Sequence, residues 1–365
     1  MFVAWRDLGF ARGRFALMGT VIVLITVLVG LLSGLTAGLG RENTSAITAL
    51  PADHLVFSAP AGGSDLTFTD SRLSGRTAAA WARVPGVRSA EPLGITPVKA
   101  EAGGRSAAVS AFGVRPGSRP APEGVGDGAV VLSGKAAAAL GVRTGDALTL
   151  GGRTCTVAAV SGAAMYSHTP VVWMSPADWR RAGGGSRAAE GSGRAHGTEA
   201  TVLALSTTGS ADLAAADARL GTRTVSTGDA LEAIGSYRAE KGSLQLMRGF
   251  LFAISALVIG AFFTVWTIQR SGDVAVLKAL GASTGSLLRD ALGQAVVLLL
   301  LGTGLGSAVV AAVGAGIGSA VPFVLAPSTV LLPSLVMTAL GAAGAALAVR
   351  RITSVDPLTA LGSAR

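Results

Sequence analysis

The stretch GAAMYSHTPVVWM, residues 162–174, brings Met165, Tyr166, His168 and Met174 within thirteen positions. Thioether, phenol and imidazole side chains ligate haem iron and soft metals, so this is the first place to look for chemistry. The competing reading is ordinary packing of a strand and its loop, the usual fate of methionine and tyrosine. His54, His168 and His196 lie far apart, with no i,i+4 pair and no adjacent cysteine, which is a poor basis for zinc. Cys155, the single cysteine, sits in RTCTVAAV and reads as a small core residue of a strand; one cysteine excludes an intramolecular disulfide. GAVVLSGKA, residues 128–136, superficially suggests a phosphate loop. Five residues separate Gly128 from Gly134, however, and Ala136 stands where a Ser or Thr would hold magnesium. No Ser/His/Asp or Cys/His arrangement stands out, and the apolar runs hold no paired carboxylates. The chain does not read as an enzyme, and no metal site is expected.

The elements that would position these residues are set by where charge is missing. Of 365 residues half are hydrophobic and 14% charged, with a mean hydropathy of +0.56; a soluble domain carries about 25% charged residues. Phe15–Gly40, Gly249–Gln269 and Ala291–Val349 are uncharged runs of 26, 21 and 59 residues. A bilayer core needs roughly 20 apolar helical residues. The long run supplies two spans, broken near Pro322, Pro327 and Pro333. The fold class is therefore integral membrane and α-helical, with four transmembrane helices at 15–40, 249–269, 291–318 and 328–349. A signal peptide is the rival reading of the N-terminus, but its apolar core is usually about 7–15 residues.

Charge gives the orientation. Residues 1–14, 270–290 and 350–365 hold nine Lys/Arg against four Asp/Glu, whereas 42–247 holds 19 against 17. Short basic segments stay in the cytoplasm, and long translocated domains largely ignore the rule. Both termini and a loop at 270–290 are expected inside the cell membrane, with 41–248 outside. The net charge of +9 is thus a membrane signal, and no nucleic-acid partner is expected. In residues 1–14, Phe2, Trp5, Leu8 and Phe10 beside Arg6, Arg12 and Arg14 suit an amphipathic helix on the inner lipid surface.

The inserted segment reads as a mixed α/β extracytoplasmic domain. HLVFSA, LTFT, VRSAEPLGITPV and ATVLALST read as strands and RTAAAWARV as a helix stopped at Pro85-Gly86. Residues 128–160 read as strand, short helix, Gly-containing turn, strand, Gly-Gly hairpin and strand. DALEAIGSYRAEKGSLQLMRG reads as a helix entering the second span, and AGGGSRAAEGSGRAHG, 182–197, as a mobile loop. In the first span Gly30, Gly34 and Gly38 share one helix face, allowing a neighbour's backbone close approach.

In the 270–290 loop, Val274, Leu277 and Leu280 form a helical stripe with Val276 on its shoulder. Asp273 and Lys278 complement the helix dipole, and Gly281 ends the helix. By physics alone this helix either docks on a partner or rests on the membrane. DVAVLKALGAS, 273–283, resembles the loop of FtsX/MacB-type (type VII) ABC transporter permeases. RRITSVDPLTALGSAR resembles their basic flank and x-DP-x-x-AL ending, and VVLSGKAAAALGVRTGDALTLGGRTCTVAAV their external core, MacB-like. The sequence around the first span looks most like the DevC/haem-exporter branch.

The resemblance implies a permease dimer paired with two cytoplasmic ABC ATPase subunits that hold ATP and magnesium, with no cofactor on this chain. Asp273, Val274, Val276, Leu277, Lys278, Leu280 and Gly281 would form the ATPase-coupling helix, and Asp356, Pro357 and Leu358 a second contact. ATP-driven closure would move the external domain by mechanotransmission. The branch implies export of a hydrophobic or amphipathic substrate, haem foremost. Glu42, Glu240 and Met247, at the outer ends of the first two spans, join Met165, Tyr166 and His168 as candidate substrate contacts. A mechanical regulator of a cell-wall hydrolase, or a lipid, lipoprotein or peptide exporter, is the alternative.

Overall fold

The computed structural model describes residues 12–184, 200–269, 283–317 and 321–353, with Gly272, Val276, Leu280 and Gly281 of the loop between. In chain order the elements are α1 (Arg12–Thr48), β1 (His54–Ser58), α2 (Gly75–Trp81), β2 (Val87–Ala102), β3 (Arg105–Val114), β4 (Ala129–Leu132) and α3 (Gly134–Leu140). Then come β5 (Ala147–Leu150), β6 (Arg153–Val160), β7 (Met165–Tyr166), β8 (Thr169–Met174), α4 (Pro176–Trp179), β9 (Val202–Thr207) and α5 (Leu213–Leu220). They are followed by β10 (Thr222–Ser226), α6 (Gly235–Gln269), α7 (Thr284–Ile317) and α8 (Pro327–Thr353). The four long helices α1, α6, α7 and α8 are each apolar enough to cross a membrane, and the α/β domain lies between the first two. The chain divides into Met1–Leu39 with Gly242–Arg365, and Gly40–Lys241.

The helices outrun the uncharged stretches. At about 1.5 Å per residue, the 37 residues of α1 and the 35 of α6 exceed a hydrocarbon core of about 30 Å. A helix satisfies its own backbone on either side of the membrane boundary, so Arg41 and Arg248 mark where the uncharged runs end and not where the helices end. In the helical unit, Met18, Ile22, Val29, Ile259, Phe263, Trp266, Leu298, Leu299, Met337 and Ala345 form one buried cluster. Small residues bring the backbones together. A Cβ added at Gly30 would fall 2.7 Å from Val310, and one at Gly34 2.3 Å from the Phe323 ring. At Gly38 it would lie 1.7 Å from the Pro322 carbonyl oxygen. The segment before α8 therefore lies directly on α1, and Val324 N–H donates to the Gly34 carbonyl at 3.1 Å. Hydroxyl pairs link α7 to α8, Ser307 with Ser334 at 2.7 Å and Thr303 with Thr338 at 3.3 Å.

Among the described residues of the inserted domain ten strands form one sheet ordered β10-β1-β9-β2-β3-β8-β4-β6-β5, with β7 on β8. The 16-residue β2 is long enough to serve two neighbours on one side: its start pairs β9, and its end pairs β5 through Ala100–Leu150 and Glu101–Thr149. Six strands, β2-β3-β8-β4-β6-β5, thereby close on themselves. Period-2 alternation puts Ala100, Ala102, Val109, Ala111, Val130, Leu132, Leu148, Leu150, Cys155, Val157, Val172 and Met174 into one core with α3. Cys155 is the small buried residue its strand context suggests, and burial together with Asp178 raises its thiol pKa, against a smaller lowering by Arg153. Beyond the ring, Trp81, Val84, Leu203, Leu205 and Ala216 hold α2 and α5 against β1 and β9. At the outer strand the Asp217 carboxylate accepts from Thr224 N–H at 2.8 Å and from the Thr222 and Thr224 hydroxyls at 2.7 and 2.9 Å.

Two sequence expectations change. LTFT, 66–69, is not a strand: Thr67 and Asp70 close a side-chain turn, Asp70 N–H donating to Thr67 Oγ1 at 3.0 Å. That turn sends Phe68 into the core against Phe57, ring centroids 4.9 Å apart. DALEA is a separate 3-10 turn, Asp229–Ala233, with an extended Ile234 before α6 begins. Most of the 182–197 segment, and all of 1–11, lie outside the described residues.

Candidate functional site: a carboxylate–imidazole cluster

β7 and β8 are joined by only two residues, Ser167 and His168, with φ of 49° and 62°. A two-residue turn of this hand normally uses Asn-Gly, because both central positions need positive φ. Side chains there cost of order 1–3 kcal/mol each, so the surroundings must hold them. They do. Ser167 N–H and His168 N–H donate to the carbonyls of Asn43 and Glu42 at 3.0 and 3.3 Å, and Met165 N–H donates to Ser45 Oγ at 2.9 Å. The turn is strapped to the end of α1, which fixes where the imidazole sits.

Asn43 is fully buried and stands at the centre. Its Nδ2 lies 2.9 Å from Glu240 Oε2 and 2.9 Å from His168 Nε2, and its Oδ1 accepts from Ser236 Oγ at 2.5 Å. His168 Nε2 is also 2.8 Å from Glu240 Oε1. Two donors cannot meet head-on at one nitrogen. If Nε2 carries the hydrogen it donates to Glu240; if it is bare, Asn43 donates to it and Glu240 must carry the proton on Oε1. In both arrangements one proton lies between imidazole and carboxylate. Glu42 approaches the other ring nitrogen, Oε2 to Nδ1 4.0 Å, and ion-pairs with Lys135. Glu42 and His168 are 21% and 33% exposed, so the cluster is open to a ligand on one side while Asn43 anchors it from below.

Of the candidate contacts, Glu42, His168 and Glu240 converge and three do not. Met165 is buried beneath the turn. Tyr166 packs edge-on between Phe68 and Phe112, both at 5.7 Å, and burial raises its pKa so that it stays a phenol. Met247 is half-exposed on α6, in the helical unit. Among the described residues no group of three His, Cys, Asp or Glu is arranged to hold a metal ion. Lys135, the residue of the false phosphate loop, serves as partner to Glu42. Asn43 and Ser236 carried no sequence signal, since the contacts that define them span 125 and 193 positions.

In the segment expected to couple to the ATPase, Val276 and Leu280 are exposed, Leu280 N–H donates to Val276 O at 3.0 Å, and Gly281 has φ of 91°. Asp273, Val274, Leu277 and Lys278, and likewise Asp356, Pro357 and Leu358, lie outside the described residues.

Four apolar helices with a large α/β domain between the first and second make the architecture of a multi-pass membrane protein. The MacB-like periplasmic core domain is matched over residues 15–223 and the FtsX-like permease C-terminal region over 246–357. The chain belongs to this FtsX/MacB family, and membership implies a partner ATPase. It is 26% identical over 370 residues to the "Putative hemin transport system permease protein HrtB" of Staphylococcus haemolyticus, covering 99% of both chains. It is equally 26% identical over 371 residues to an uncharacterized ABC transporter permease of Mycobacterium tuberculosis, again covering 99% of both. Solved structures with some similarity are the periplasmic region of MacB from Actinobacillus actinomycetemcomitans and the extracellular domain of YknZ. The first has 12% identity, a TM-score of 0.35 and coverage of 54% of this chain and 97% of that one. The second has 13%, 0.33, 47% and 97%.

Proposed function

We propose that this chain is the permease of an exporter whose substrate is haem or a closely related amphiphile. It would work as a dimer with two ATPases, both termini cytoplasmic and the α/β domain outside. The observation that carries the reading is the half-open cluster of Glu42, His168 and Glu240 on a strained turn. Imidazole and carboxylate are ligands for iron, and Lys135 beside them suits a propionate. The full-length similarity to proteins named for hemin transport supports the same cargo.

Val276 and Leu280, exposed on the loop between α6 and α7, are the apolar contacts offered to the ATPase. Closure of the ATPases on ATP would pull this loop and drive α6 and α1, moving the domain that carries the cluster. The test is growth of a haem-sensitive host in toxic haem, expressing the permease with its ATPase. Protection is expected, and is lost with a Walker-dead ATPase, with Leu277→Asp and with the His168→Ala/Glu240→Ala double variant. No protection from an assembled complex that hydrolyses ATP overturns the haem reading and leaves mechanical signalling or another cargo.

A further inference from the structure

α1 and α6 leave the inserted domain on one side, because Asn43 of α1 and Glu240 of α6 touch there, next to Gly40 and Lys241, where this unit ends. Strand registers bring other residues to that side. Ser110 of β3 lies opposite Val171 of β8 in parallel, so Arg105 reaches about 10 Å past the level of Thr169, where β8 starts. The β7–β8 turn at that end is strapped to Glu42 and Asn43, so the start of β3 lies toward the side where the helices depart. α3 crosses this end of the strand ring. It begins at Lys135, ion-paired with Glu42, and buries Ala136, Ala137 and Leu140 in the ring's core. It ends at Gly141, where an added Cβ would collide with the Arg105 guanidinium.

The outer face of this helix belongs to a basic strip. Arg41, next to Glu42 in α1, and Arg105 and Arg143 at the far end of α3 are exposed. Among the described residues none of these three side chains has a hydrogen-bond or ion-pair partner. The charged neighbours are matched: Lys135 with Glu42, Lys99 with Glu101, Arg238 with Asp65 and Lys241 with Glu232. Asp146 is the acid beside Arg143, and its carboxylate accepts from the Arg143 N–H at 2.7 Å. Along α3, three arginines thus stand against one carboxylate. Ala138, Ala139 and Gly141 between them are exposed and too small to hold guanidinium groups off a flat surface. Val160 is the one large apolar side chain exposed in this unit among the described residues, so the face offers nothing to insert into hydrocarbon. Arginines without apolar anchors match headgroup phosphates, which a guanidinium binds through two parallel hydrogen bonds. We infer that the outer face of α3, with Arg41, Arg105 and Arg143, docks on the anionic headgroups of the membrane that α1 and α6 enter. The length of α3, about 10 Å, is close to the screening length of about 8 Å in physiological salt, so each arginine contributes separately and added salt releases the face. The surface serves any cargo and does not depend on the haem reading.

The test uses the full-length Cys155→Ala protein in nanodiscs, with a bimane on Ala139→Cys of α3 and a nitroxide on the lipid headgroups as quencher. A label on Ala214→Cys, exposed on α5, is the control. α5 starts beside Gly86, at the opposite end of the 16-residue β2, about 50 Å along that strand from Ala102. The Ala139 label is expected to be quenched in discs containing phosphatidylglycerol, to recover in high salt, and to stay bright in phosphatidylcholine alone. Arg105→Gln/Arg143→Gln should cut the quenching about fivefold or more. The unfolding temperature should not move, since neither side chain has a partner to lose. The Ala214 label should stay bright throughout. Absence of quenching at Ala139, or quenching that ignores lipid charge and the double substitution, overturns the proposal. A label shielded from water yet beyond reach of the nitroxide also overturns it, because a protein then covers the face. Charge-dependent quenching in a complex that gives no protection in toxic haem keeps the docking surface and removes only the cargo, so the two failures are separable.

Discussion

The helical unit and the inserted domain are each held together internally by a different balance of contacts. The domain buries large side chains: Trp81, Phe57, Phe112, Leu132 and Leu148 are all nearly inaccessible. The helices bury Phe263, Trp266, Leu299 and Met337, but they also turn Leu257, Leu301, Leu335 and Leu347 outward, more than 60% exposed, and close their contacts with glycines and hydroxyls. Water makes apolar burial stabilising, whereas lipid is as apolar as leucine and rewards only close contact and hydrogen bonds. One region should therefore fail when atoms are removed, the other when they are added.

The largest effect is expected from Phe57→Ala, which empties the space facing Phe68 and should cost the domain about 3–5 kcal/mol in denaturant unfolding. In the bundle the corresponding break is Gly38→Ala. One methyl group would meet backbone atoms of Pro322, which cannot rotate away. A loss at the upper end of about 1–3 kcal/mol is expected by thermal unfolding in detergent. Gly304→Ala, with nothing within 4 Å, should be neutral or stabilise by up to about 1 kcal/mol. If Gly38→Ala is equally neutral, the contrast fails. Asn43→Ala tests the buried amide at the centre of the cluster. Leaving Ser236 and Glu240 without their shared partner should cost about 1–2 kcal/mol. It should also shift the His168 imidazole resonances by NMR, which Phe57→Ala should leave in place. The smallest effect is pH-linked. Because the Cys155 thiol pKa is raised in the fold, unfolding above the ordinary thiol range releases a proton. Domain stability should then fall as pH rises through that range, and Cys155→Ala should remove that part of the slope.

Much of this was legible in the chain. Uncharged runs located four spans, and the short apolar runs of HLVFS and AVVL and the alternation in ALTL and RTCTV located strands, because both are local properties. LTFT shows the limit of that logic. It alternates like a strand, but Thr67 and Asp70 hydrogen-bond each other, and Phe68 is drawn into a core assembled from distant residues. The cluster shows a second limit. Glu42 and Glu240 could be named from their place at the ends of apolar runs, and His168 from its side chain. Their convergence required a turn strapped to α1 by backbone hydrogen bonds, which no spacing encodes. Asn43, which lies within hydrogen-bond distance of both Glu240 and His168, looks in sequence like any polar residue after a span.

Closing six strands into a ring has a consequence for how this protein survives outside the cell's folding machinery. An open sheet has two raw margins that can recruit strands from another molecule and seed aggregates. Here the ring removes one, leaving β10 as the outer strand of the path. On β10 the Asp217 carboxylate already occupies Thr224 N–H, the donor an incoming chain would need, and it sets a negative charge where that chain's carbonyl would approach. A single side chain from the helix before it thus acts as a guard against β-augmentation.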